Sequence, residues 1–309
     1  MKRIFAIIAA LALIFTLSGC KNEEKDVPKN YVNPPFFIVR DEETGGEAYL
    51  LGSMHVGLPN TVYPEAVYSS LDECETVACE IDLIEIEKKR DEVNEAMKVF
   101  ECKSARELIG DDYDEITKYF TERGINTNQL EKYIPAMWSI TLSQKASSDA
   151  GYDTKYGTDR EILTIAKQKG KKIVELETAE EQYIINANQS RELQVYSLKN
   201  AVSVPYEQLM AQSGALYLAW STNNSTLIET MLSGGRIPDE IAEDYKKYYS
   251  EMYEKRQEKM AEYVVKALKN GEKVFVVVGA AHYFAAPDIL DFIEKAGYSV
   301  EKFYYENAA

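Results

Sequence analysis

The stretch that most limits what this chain can become is Val274–His282, Val-Phe-Val-Val-Val-Gly-Ala-Ala-His. Five apolar, mostly β-branched residues run unbroken into Gly279, and a histidine follows three residues later. Such a run, after Lys273 and ahead of a helix-like stretch, predicts a buried strand of the parallel kind. Gly279 permits a tight turn at its carboxyl end. His282 is then delivered to the strand–helix junction, where open α/β sheets gather their ligand sites. Near the start the phrase returns as Ala48–His55, Ala-Tyr-Leu-Leu-Gly-Ser-Met-His. The chain holds two histidines in 309 residues, and both stand in a strand–Gly-x-x-His unit. Core packing gives no reason for that coincidence. The two ends of the chain are expected to meet and present both imidazoles to one cleft.

The first residues carry an address rather than a fold. Lys2 and Arg3 precede an apolar run, Ile4–Leu17, and Leu17-Ser18-Gly19-Cys20 has the small residues a lipoprotein signal peptidase requires. The run is short for a spanning helix, and no stop-transfer pattern follows. The expectation is a signal peptide over 1–19, a lipid on Cys20, a tether over 20–35 and one domain over 36–309. The protein is then held on the extracytoplasmic face of the membrane. A net charge of −16 argues against nucleic acid and against anionic lipid. Outside the cytoplasm a disulfide is allowed, and of Cys74, Cys79 and Cys102 the pair Cys74–Cys102 is favoured, because Cys79 falls within an apparent strand.

Strands are expected at Phe36–Arg40, Glu47–Leu51, Thr76–Glu80, Lys171–Leu176, Val274–Val278 and 298–305. Helical patterns fill the intervals, with breaks at Gly110, Gly124, Gly214 and Gly234-Gly235. This is an α/β domain: a mixed sheet from N- and C-terminal strands with a large helical insertion, roughly 84–150 and 178–250.

His55 and His282 can hold a divalent ion or share acid–base work. Glu80 ends a strand expected beside the one leading to His55, so its carboxylate can complete a metal site or act as general base. Asp82 is its candidate partner. Arg256, on the helix before the last Gly-x-x-His strand, is a candidate for stabilising an oxyanion. Asp159, Glu177 and Gln182 are weaker candidates, a helix cap and two first-turn residues in their plainer reading. Ser53 lacks the context of a nucleophile elbow, and the chain has no phosphate-binding glycine loop and no His-Glu-x-x-His.

Seven phrases, in order, resemble the TraB/GumN family, which includes the TIKI proteins: Leu50–His55, Ala78–Asp82, Tyr156–Asp159, Leu176–Gln182, Lys255–Ala261, Val278–His282 and Gly297–Val300. The resemblance implies a fold related to erythromycin esterases and haem-binding ChaN-like proteins. It also implies a metal-dependent protease chemistry that uses manganese or cobalt, carried here by His55, His282 and Glu80, with Arg256 as the family arginine. Zinc and iron suit the same donors. Gln257 stands where an asparagine commonly follows that arginine, and Tyr283-Phe284-Ala285-Ala286 where a glycine is usual. The expected activity is hydrolysis of a peptide or other acyl bond. The alternative is a non-catalytic protein that binds haem or sequesters a peptide.

Overall fold

The computed structural model describes residues 28–233 and 235–304. The expected signal segment and Cys20 lie outside the described residues. The strands are β1 (Asn30–Tyr31), β2 (Phe36–Asp41), β3 (Gly46–Ser53), β4 (Thr61–Val62), β5 (Thr76–Cys79), β6 (Lys172–Glu175), β7 (Lys273–Gly279) and β8 (Val300–Lys302). Six of them form one mixed sheet in the order β6–β5–β7–β3–β2–β8, and β1 pairs with β4 apart from it.

The uninterrupted apolar run of β7 has the expected cause, burial on both faces. Val274, Val276 and Val278 pack with Met260, Val264 and Leu268 on one side. Phe275 and Val277 pack with Val67, Leu71, Ile162 and Leu163 on the other. Strand periodicity of two sends alternate side chains to opposite layers, so a strand in mid-sheet must be apolar at every position. The two ends of the chain do meet: β3 and β7 are parallel neighbours, from Glu47 opposite Lys273 to Ser53 opposite Gly279. One expectation changes. The strand ending before Glu80 does not adjoin β3, because β7 lies between β5 and β3.

The helical insertion builds a core of its own around Phe100, Phe120, Trp138 and Tyr183. The break expected at Gly214 is absent, and one helix runs from Tyr206 to Ser221. An interior glycine disfavours a helix by only about 1 kcal/mol relative to alanine. Burial of Leu209, Tyr217 and Trp220 on either side of it outweighs that. The helix expected over 250–270 is regular only from Lys255 to Lys269, and Ser250–Glu254 is a π-helical turn. The stretch read as tether joins the fold before its end: Asn30 and Tyr31 pair with Thr61 and Val62, and Val32 is buried. The favoured disulfide is not formed. All three described cysteines are free; Cys74 belongs to the core beneath the sheet, whereas Cys102 follows the bridge between Glu101 and Tyr133 in the helical insertion.

Phe275 is fully buried at the centre of this arrangement. Phe275→Ala is expected to lower the unfolding free energy by about 3–5 kcal/mol, read as a shift in the urea midpoint.

Candidate functional site

His55 follows β3 on a loop stitched to the start of another element. Gly57 and Asp153 exchange two backbone hydrogen bonds of 3.0 Å, and the Thr158 N–H donates to the Met54 carbonyl at 2.8 Å. The loops press so closely that a Cβ on Gly157 would lie 2.6 Å from the His55 carbonyl oxygen, a distance only glycine tolerates. This explains the Tyr-Gly-Thr-Asp phrase. The helix Thr158–Gln168 has no side-chain cap because Gly157 holds the N-cap position, and Thr158 and Asp159, inside its first turn, are used elsewhere. Thr158 Oγ1 accepts from the Met54 N–H. Asp159 accepts from the Ser53 hydroxyl at 2.6 Å and stands 3.0 Å from His55 Nδ1. The Ser53 hydroxyl is thereby committed to Asp159. Burial alone would lower the His55 pKa, but the charge and hydrogen bond of Asp159 reverse this and raise it to about 9.

Glu80, one residue past β5, is buried with donors at both oxygens. Oε1 accepts from the Gly279 N–H at 2.6 Å, and Oε2 from Gln182 at 3.0 Å and Arg256 at 2.9 Å. Arg256 is itself fully engaged. Nε donates to Glu177 Oε1 (2.6 Å), Nη2 to Glu177 Oε2 (2.7 Å) and Glu80 Oε2, and Nη1 to the Met252 carbonyl (2.9 Å) and sulfur (3.2 Å). A guanidinium has five N–H groups, and these five contacts leave none for the oxyanion it was expected to meet. Burial works to raise the Glu80 pKa. The charges of Arg256 and His55 and the Gly279 N–H overcome it and hold the carboxyl well below its usual range.

Glu177 and Gln182, readable as solvated first-turn residues, are both buried, and Gln182 also donates to Glu177 at 3.0 Å. Asp82 is not the partner of Glu80. It caps the helix Leu83–Ile86 by accepting from the Ile84 and Glu85 N–H groups and pairs with Lys167 at 2.7 Å.

His282 lies in the short turn after β7, with its ring buried against Tyr253, centroids 6.0 Å apart. Its Nδ1 is 3.2 Å from Gln257 Oε1, and its Nε2 is 3.8 Å from Glu80 Oε1. Burial, then the charge of Arg256, pushes its pKa down to about 3. Sequence reasoning missed Gln257 and Tyr253 as parts of the site. Gln257 carried a signal only in standing where an asparagine commonly follows the family arginine, and Tyr253 carried none.

The expected convergence is present, and Gly279 measures it. A Cβ built there would lie 3.2 Å from Glu80 Oε1, 3.6 Å from His55 Nε2 and 3.9 Å from His282 Cδ2. The three side chains face a cleft of about 670 Å³ between the sheet edge and the helical insertion, lined further along by Ser143, Ser213, Leu216, Met231 and Tyr249. The donors fit a divalent ion in kind: both Nδ1 atoms are taken up by protein partners, which leaves each Nε2 to ligate, and that of His282 stands 3.8 Å from Glu80 Oε1. Among the described residues, no three His, Cys, Asp or Glu side chains are spaced as a ready ligand set; Glu80 is drawn instead to Arg256 and Gln182.

Among curated proteins and among solved structures, no match is found. The sequence profile of the TraB/PrgY/gumN family, however, matches residues 36–302, a span that runs from β2 to the end of β8 and holds both Gly-x-x-His units and every residue of the buried cluster. The chain therefore belongs to the TraB/PrgY/gumN family.

Proposed function

We propose that this protein is a hydrolase of peptide or other acyl bonds, held by a lipid on Cys20 at the extracytoplasmic face of the membrane. The observation that carries the reading is the meeting of His55 Nε2, His282 and Glu80 Oε1 around Gly279 at the floor of the cleft. Two imidazoles and a carboxylate aimed at one point are the groups that bind and deprotonate a water molecule. His55, backed by Asp159, holds a proton at Nε2 or releases it. His282 offers a lone pair, and Glu80 stays ionised beside them. Arg256 acts on the reaction through Glu80, which it neutralises and orients. Manganese or cobalt, with zinc or iron as alternatives of the same chemistry, is the cofactor proposed for His55, His282 and Glu80. When bound, the ion supplies a water of lowered pKa.

Turnover by the purified full chain is expected on a pool of quenched peptides and esters, and His55→Ala and His282→Ala are each expected to reduce it by at least about 100-fold. A Soret band on mixing with haem, together with no turnover, would favour the binding alternative. A double histidine variant as active as the parent would sink the hydrolase reading.

The metal assignment has a pH signature. Manganese must displace the Nε2 proton of the His55 imidazolium, whose pKa the Asp159 carboxylate raises to about 9. Apparent affinity should therefore climb by about tenfold per pH unit from pH 6 and level off near 9. A flat calorimetric profile over that range would show that His55 is not a ligand.

The positioning role of Arg256 is tested through its other partner. Glu177→Ala leaves the buried guanidinium with one carboxylate, and a loss of about 3–5 kcal/mol of stability is expected in chemical denaturation.

A further inference from the structure

The two imidazoles are not held alike. His55 leans on a carboxylate, whereas His282 leans on an amide, and the orientation of that amide is fixed. Gln257 Nε2 donates to the Ala285 carbonyl at 2.8 Å and to the Pro287 carbonyl. Carbonyl oxygens only accept, so the nitrogen must be at that end and Oε1 at the other. Oε1 stands 3.2 Å from His282 Nδ1 and carries no proton. The hydrogen of that contact belongs to Nδ1.

We infer that Gln257 is a positioning residue of the site: it imposes the Nδ1–H tautomer on His282 and so turns a bare Nε2 toward Glu80 Oε1, 3.8 Å away. The consequence for turnover rests on the proposed reaction; the proton position does not. Gln257 is fully buried and His282 nearly so, and the Tyr253 ring packs edge-on against the imidazole, so the contact between Nδ1 and Oε1 is shielded from bulk water. Glu80 Oε1 already accepts from the Gly279 N–H. A lone pair on nitrogen then faces an anionic oxygen inside the protein, and the two repel unless an electrophile stands between them. Such a pair is built to take the O–H of a water molecule or a cation. With the proton on Nε2 instead, His282 would donate to Glu80, and the pair would satisfy itself with no ligand. Gln257 blocks that outcome. Its length also matters: one side chain reaches both the imidazole and the 285–287 loop.

The test uses ¹⁵N-labelled full chain without metal. With two histidines in the sequence, the spectrum holds two rings, and His55→Gln identifies which is which. The expected result is a protonated Nδ1 and an unprotonated Nε2 for His282. In Gln257→Met, which fills the space without hydrogen bonds, the second tautomer should appear and manganese affinity should fall by about 10–100-fold. A residue that merely staples the 285–287 loop would lower the melting temperature and leave the tautomer unchanged, and that result overturns the inference. A proton on Nε2 in the parent protein overturns it as well, even where Gln257→Met does not fold. Absence of peptide or ester turnover leaves the nitrogen spectrum as informative as before, so failure of the hydrolase reading is distinguishable.

Discussion

A buried guanidinium shared between two buried carboxylates is the constraint around which this domain is arranged. Arg256, Glu80 and Glu177 are all buried, and an isolated charge in such a place is prohibitive unless paired and hydrogen-bonded. Satisfying Arg256 requires three distant pieces of chain at once. These are the end of β5 with Glu80, the residues before the helix Ala179–Ala187 with Glu177, and the helix Lys255–Lys269 that carries Arg256 itself. The cluster thus locks the sheet edge to the helical insertion and forms the floor of the cleft. It also gives a reason for the π-helical turn Ser250–Glu254, since Met252 supplies two of the five acceptors from within it. A regular helix one turn earlier would present a different pair of atoms; π turns of this kind recur at functional sites.

Much of this was legible in the sequence, for identifiable reasons. β7 declared itself because a strand covered on both faces leaves no position for a polar residue. His55 and His282 declared themselves through rarity and matched context, and Glu80 through its place at a strand end. The partners were harder to read. Glu177 and Gln182 look like any solvated first turn, and Asp159 looks like a cap, because one short polar side chain serves equally well in either setting. Asp82, two residues from Glu80, was the natural choice for its companion, yet the chain has begun a helix there and turned that carboxylate toward Lys167. Local sequence describes what a side chain can do; which groups it meets is decided by the packing of elements distant in the chain, from 79 residues for Glu177 and Arg256 to 104 for Asp159 and His55.

The two Gly-x-x-His units are alike as phrases and unlike as environments. β3 and β7 are in register, with Ser53 opposite Gly279, so the turns after them leave the sheet at the same edge. From there one histidine meets a carboxylate and keeps a quarter of its side chain open to the cleft, while the other meets an amide and is almost fully buried at the cleft wall. Backbone repetition delivers two imidazoles to one place, and the residues that receive them, Asp159 and Gln257, make them chemically different. That difference shows in the opposite directions of their pKa shifts, up for His55 and down for His282.

The rest of the cleft carries this further. Outside the buried cluster its charged lining residues are Glu87, Asp153, Lys155 and Arg160. They cancel in pairs, Arg160 with Glu87 and Lys155 with Asp153. A chain of net charge −16 therefore opens onto its histidines through a passage whose own charges sum to nothing. Ion pairs at a half-exposed rim contribute little attraction for a ligand. Orientation of whatever enters must come from hydrogen bonds and apolar contact with the wall, and the first strong field it meets is that of Glu80 and His55. An uncompensated charge higher in the passage would hold a ligand short of the floor; its absence leaves the deepest point of the cleft as the place where charge acts.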